Sequence, residues 1–122
     1  MMTKYVKIYN GRDNSLVGDK IRVADSFWTR FKGLMLAPDL QEGEGLIITP
    51  CNSIHMMFMR YPIDAVFIDA SNKIVALYEN LRPWIGITKL YSNVVSVIEL
   101  PSGLVNKLGL KIDDSLRLEY LQ

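Results

Sequence analysis

Hydrophobic and polar positions change places in short runs along this chain, and eight glycines and five prolines cut the runs apart. Most runs read as strands, because they are short, rich in β-branched and aromatic residues, and bounded by turn formers. Tyr5 to Tyr9 is one and Val17 to Val23 a second, and the turn-rich Asn10-Gly11-Arg12-Asp13-Asn14 between them predicts a hairpin. The period then changes. Phe27, Trp28, Phe31 and Leu34 recur as on one face of a helix, with Asp25 or Ser26 able to cap it and Gly33 weakening its last turn. A polar loop from Pro38 to Gly45 follows. Strands resume at Leu46 to Thr49 and at Ser53 to Arg60, and Asp64 to Asp69 and Lys73 to Tyr78 read as a hairpin joined by Ala70-Ser71-Asn72. Irregular chain holds Pro83, Trp84 and Gly86. Val94 to Leu100 is a β-branched strand, and Pro101 to Leu108 reads as a short helix with proline near its first turn, where the missing N–H costs nothing. Ser115 to Leu121 closes the chain with alternating leucines.

This pattern predicts one domain over residues 1–122, mainly β: a single compact β-sandwich or partly closed barrel with about seven or eight short strands and one or two short helices. A parallel α/β sheet needs crossover helices between successive strands, and the pattern holds too little helix for that. Length agrees, since a chain of 122 residues buries roughly two-thirds of its unfolded surface and needs no staples.

Charge narrows the function classes. Fourteen Lys and Arg face thirteen Asp and Glu, a net charge of +1, and the two signs are interspersed from Lys4 to Glu119. No run of like charge would track a phosphate backbone, so no nucleic-acid partner is expected. One cysteine makes no internal disulfide. The stretch Met1 to Asn10 has no apolar core of a signal peptide, and no stretch approaches the roughly 20 apolar residues that cross a bilayer. The expectation is a cytoplasmic protein with no membrane partner.

Candidate chemistry concentrates in Cys51 to Asp64, which holds the only cysteine, the only histidine and three of the six methionines. Cys51, His55 and Met59 are four apart and therefore cofacial in either a strand or a helix. In a strand that spacing spans about 13 Å, too far for one ion, and Pro50, Pro62 and the aromatic residues between them favour strand. A blue-copper site needs two histidines and a structural zinc site four nitrogen or sulfur ligands, which the segment lacks. No metal and no cofactor are expected, and the methionines read as core packing. Cys51 and His55 could pair as thiolate and base with Asp64 or Asn52 orienting the ring, yet nothing nearby supplies an activation signature, so no catalytic residue is assigned. Arg60 and Asp64 flank Tyr61-Pro62-Ile63, and a turn there brings them together. Glu99 ends an apolar strand; its charge must be exposed or paired, since unpaired burial is costly, and Arg30 and Arg60 are the partners expected.

The motifs Arg30-Phe31-Lys32-Gly33-Leu34-Met35, Gly45-Leu46-Ile47-Ile48, His55 to Asp69 and Val97-Ile98-Glu99-Leu100-Pro101-Ser102-Gly103 resemble domain-of-unknown-function family 192, from about Val23 to the C-terminus. The resemblance implies a compact, mostly β domain and no activity, because the family has no assigned biochemical function to carry over. The family-like positions are Arg30, Gly33, Leu34, Met35, Met59, Asp64, Glu99 and Gly103. His55 matches the subgroup in which histidine opens the central motif, Met56 stands where a small polar residue is common, and Asp113-Asp114 departs from the usual glycine before aspartate. Many members carry an export signal, which this chain is not expected to share.

Three functional readings remain. The first is a non-catalytic binding domain with a pocket or groove near the His55–Asp64 motif, taking a small molecule or peptide through Arg30, His55, Met59, Arg60, Asp64 and Glu99. The second is a hydrolase or isomerase using Asp64 or Glu99 with His55 as acid and base. The third is an interaction module docking on a protein through exposed aromatics such as Trp28, Trp84 and Tyr91.

Overall fold

A computed structural model describes residues 3–121. In chain order the elements are β1 (Tyr5–Asn10), β2 (Leu16–Ala24), α1 (Phe27–Lys32), β3 (Glu44–Ile48), β4 (Ile63–Ile68), β5 (Ile74–Leu81), β6 (Ser96–Pro101), α2 (Leu104–Leu108) and β7 (Leu116–Tyr120). Seven strands form one sheet in the order β5-β4-β6-β3-β2-β1-β7. Every pair is antiparallel except β2 with β3, which run parallel because the connection through α1 crosses back over the sheet. Both predicted hairpins form, β1 with β2 and β4 with β5, the latter turning at Asn72, which adopts a φ of 63° that asparagine tolerates.

The sheet curls until its two edges touch at one end. Lys73 and Ser115, just before β5 and β7, form an isolated bridge, the Ile74 N–H donates to the Asp114 carbonyl at 2.9 Å, and the Leu116 N–H donates to the Asn72 carbonyl at 2.9 Å. Of the two architectures expected, the molecule is the partly closed barrel. Asp114 anchors the closure: its carboxylate accepts from Asn10 Nδ2 at 2.9 Å, Arg12 Nε at 2.8 Å and the Lys111 N–H at 2.9 Å. Burial by itself would raise the pKa of this carboxyl, but the hydrogen bonds from Arg12, Lys111 and Asn10 outweigh it and hold the group below its ordinary value.

Both faces of the sheet are covered. One core cluster gathers Val6, Ile8, Ile21, Ile47, Val66, Ile98 and Leu100 with Val105 of α2. The other gathers Leu46, Ile48, Ile63, Phe67 and Val97 with Leu34, Met56, Met59 and Tyr61 from the long connections. Double coverage explains why β3, β4 and β6 read as nearly continuous apolar runs rather than alternating ones.

Two expectations give way here. Ser53 to Arg60 is not a strand; it is irregular chain with a single bridge between His55 and Ile87. Its backbone finds partners outside any ladder, with the Ile54 N–H donating to Thr88 Oγ1 at 2.9 Å and the Met56 N–H donating to the Gly86 carbonyl at 2.9 Å. Its apolar residues plug the sheet face individually, a pattern that sequence periodicity cannot separate from a buried strand. The second concerns α1, which buries none of its six residues; the buried member of the predicted stripe is Leu34, two positions beyond the helix.

Candidate functional site

Alternation along β6 sends Ile98 and Leu100 into one core cluster and turns Glu99, with Val97, toward the other face. There α1, the turn after it and the chain from Cys51 to Tyr61 cover it. Ser26 starts α1 with a reciprocal cap: its Oγ accepts from the Thr29 N–H at 3.1 Å, and its own N–H donates to Thr29 Oγ1 at 3.1 Å. The helix ends at Gly33, whose φ of 50° and ψ of −128° only glycine adopts easily. That turn brings the backbone directly over the carboxyl, since a Cβ added at Gly33 would lie 4.0 Å from Glu99 Oε1.

The result is a pocket of about 80 Å³ whose walls include Arg30, Cys51, His55, Met59 and Glu99. Glu99 is 4% exposed. Its Oε1 and the Nε of Arg30 are both buried and have no hydrogen-bond partner among the described residues. Arg30 holds its place by donating from Nη1 to the Pro50 carbonyl at 3.3 Å. The expectation that Glu99 would be exposed or ion-paired is therefore overturned: neither Arg30 nor Arg60 comes within ion-pair distance of it. Desolvation pushes the Glu99 carboxyl up to about 7. The Tyr61 hydroxyl, also buried and without a partner among the described residues, is pushed up to about 12 by burial and by the nearby Glu99 charge.

Four of the six residues singled out by sequence meet at this pocket: Arg30, His55, Met59 and Glu99. His55 is exposed at its mouth, with Nδ1 accepting from the Met57 N–H at 3.2 Å. Met59 is core packing that also forms a wall. Arg60 and Asp64 are not brought together and do not line the pocket. Arg60 is exposed, whereas Asp64 is fully buried, its Oδ1 accepting from the Asn80 N–H at 2.9 Å and its Oδ2 from the N–H groups of Gly103 at 3.1 Å and Val105 at 2.9 Å. Sequence reasoning missed the role of Gly33, for which the glycine after Arg30-Phe31-Lys32 was the available signal.

Cys51, His55 and Glu99 share the pocket, yet no three side chains of this kind among the described residues are close enough to hold a metal ion. Cys51 donates from Sγ to the Ser53 carbonyl at 3.2 Å, and burial, reinforced by Glu99, raises its thiol above the ordinary value despite the opposing pull of backbone hydrogen bonding at Ser53 and, more weakly, of Arg30. The thiolate is the reactive form, so alkylation by iodoacetamide at pH 7 should run slower than for a free thiol. A rate matching that of glutathione would contradict this picture of the pocket.

Residues 9–118 match the family DUF192, described as Uncharacterized ACR. The UPF0127 protein of Thermococcus sibiricus is 34% identical over 120 residues, covering 93% of this chain and 70% of that protein. A second UPF0127 protein, from Thermococcus kodakarensis, is 32% identical, covering 78% of this chain and 62% of its own length. Neither name assigns an activity. Among solved structures, a protein of unknown function from Novosphingobium aromaticivorans superposes with a TM-score of 0.79 at 21% identity, covering 92% of this chain and 82% of that one. A Sinorhizobium meliloti protein superposes with a TM-score of 0.81 at 23% identity, covering 96% and 94%. At such identities the likeness shows a shared fold.

Proposed function

The chain belongs to the DUF192 family, and we propose that it is a binding domain whose pocket takes one neutral polar group of a small molecule or peptide, such as a primary amide or a hydroxyl. One observation carries this reading. Glu99 Oε1, an acceptor, and Arg30 Nε, a donor, are both buried on the same pocket, and neither is satisfied by the described residues. Buried polar atoms are costly without partners, so such a pair is retained where something else completes it. A group that donates to Glu99 and accepts from Arg30 satisfies both. A volume of about 80 Å³ holds no more than two or three water-sized groups, so only the end of a ligand enters. His55 at the mouth and the walls from Met35, Ile54 and Met59 would meet the part that follows. The free thiol of Cys51 fits a reducing compartment, the cytoplasm.

An acid–base enzyme is the second reading, favoured by a carboxyl raised to about 7 on a pocket that a histidine also lines, since a group of that pKa transfers protons efficiently at neutral pH. Asp64 has no part in it, because both its oxygens are committed to backbone N–H groups away from the pocket.

A thermal-shift screen of small amides, hydroxylated metabolites, capped dipeptides, nucleotides and metal ions tests the binding reading, since a ligand that binds only the folded state raises its stability. The expected hit is an amide or hydroxyl compound whose shift disappears in Glu99→Leu and in Arg30→Met. A hit that shifts both variants as much as the parent chain would place binding elsewhere and remove the proposal.

A further inference from the structure

The aromatic stripe of α1 faces outward, with Trp28 stacked on Phe31 at 6.0 Å between ring centroids. The apolar surface continues beyond the helix. The Leu36 N–H donates to the Phe58 carbonyl at 2.9 Å, the Phe58 ring lies 5.0 Å from that of Trp84, and Ile87 is bridged to His55. Ile87 is 74% exposed and Leu90 76%. Contiguous apolar surface of this kind marks an interaction site. Three of these residues carry a second cost: Leu36, Phe58 and Trp84 have φ of 58°, 64° and 72°, a left-handed conformation that bulky side chains avoid and that persists mainly where function requires it.

Cations outnumber anions on the same rim, although Arg22 also borders an adjoining depression that holds Asp39 and Glu44. An open depression of about 450 Å³ beside α1, walled by Trp28, Phe31, Met35 and Leu36, has Arg22 and Lys32 as its only charged walls among the described residues. Arg60, Arg82 and Lys89 stand in the loops that carry Phe58, Trp84 and Ile87. None of these five cations lies within 4.0 Å of a carboxylate among the described residues; the ion pairs found there belong to Lys4, Arg12 and Arg117. The complement is an apolar phase behind an anionic layer. A protein partner would have to match side chains that project from loop ends and a short helix, whereas the fluid boundary of a bilayer accepts any such shape. Tryptophan with flanking lysine and arginine is the composition that settles at that boundary.

We infer that this rim docks the protein on an anionic phospholipid surface, with the apolar side chains entering the headgroup–acyl boundary and the five cations facing lipid phosphates. The expectation of no membrane partner rested on spanning segments. No helix among the described residues is long and apolar enough to cross a membrane, and docking on a surface requires none. The inference is independent of what occupies the Glu99 pocket.

The chain has two tryptophans, Trp28 and Trp84, and both are on the rim, so intrinsic fluorescence reads the docking directly. On titration with vesicles of equimolar phosphatidylglycerol and phosphatidylcholine, the emission should shift to the blue and be quenched by brominated acyl chains. Pure phosphatidylcholine vesicles and high salt should abolish most of the effect. The paired variants Ile87→Ser with Leu90→Ser, and Arg82→Glu with Lys89→Glu, change positions on the rim and should each weaken partitioning by about tenfold or more. Ile112→Ser, exposed but off the rim, should leave it unchanged. Absence of a blue shift with anionic vesicles, equal binding to neutral ones, or full retention in both paired variants overturns the inference and leaves a protein as the occupant.

Discussion

Replacing Asp64 by alanine should cost about 3–5 kcal/mol of folding stability, read as a lower denaturation midpoint in urea at unchanged slope. The side chain is fully buried and its two oxygens accept three backbone N–H groups. One of these, from Asn80, sits at an irregularity in the pairing of β4 with β5, where Asn80 takes a φ of 53°. The other two, from Gly103 and Val105, open α2, whose own first residue offers no side-chain cap. The carboxylate thus holds a strand bulge and a helix start in one place, and alanine strands all three donors. Asp64→Asn keeps an acceptor oxygen and should lose about half as much. A loss under about 1 kcal/mol for alanine would mean that water replaces the carboxylate and that the residue is not structural.

Replacing Glu99 by glutamine should act in the opposite direction and only above acid pH. The folded carboxyl titrates near 7 and the reference group at 4.5, a difference of about 2.5. Below pH 4.5 both states are protonated and burial has no ionic cost. Between 4.5 and about 7 the unfolded chain releases its proton first, the native state binds more protons, and stability falls as pH rises. Above 7 the loss is complete, and it amounts to about 3 kcal/mol. Glutamine cannot ionise, so the variant should exceed the parent chain by about 2–3 kcal/mol at about pH 8 and match it near pH 4. Parallel denaturation curves across that range check it. Identical pH profiles for the two proteins would show that Glu99 is solvated or paired in solution. A group that destabilises its own fold at neutral pH yet sits in a pocket is the pattern expected of a functional residue.

Much of the local structure was legible. The runs around Val6, Val17, Leu46, Val66, Leu77 and Ile98 became strands within a few residues of their expected ends, because β-branched alternation and turn formers act locally. Glu99 stood out as a charge in an apolar strand, and Arg30, His55 and Met59 were named with it. The expected pairing of Arg60 with Asp64 failed for a physical reason. Proximity in sequence across Pro62 says nothing about direction: Asp64 lies at the start of a strand and points into the core, while Arg60 stays in the irregular chain outside it. The pattern also left the outward face of α1 undecided, with Trp28 exposed in only one of the three readings, since an apolar stripe at helical spacing looks the same whether it covers a core or faces outward.

The sequence alone determined the class of fold, the positions of its hairpins and its family, because these follow from period-two patterning, turn chemistry and ordered motifs that need no knowledge of distant contacts. Tertiary structure decided the rest. Pairing of β6 with β3 and β4 buried Glu99 in the sheet, the crossover through α1 laid Gly33 and Arg30 over it, and closure near Asp114 curled the sheet. Each depends on residues far apart in the chain meeting across the sheet, and the cost or gain of a buried charge is set by those neighbours rather than by the residue itself.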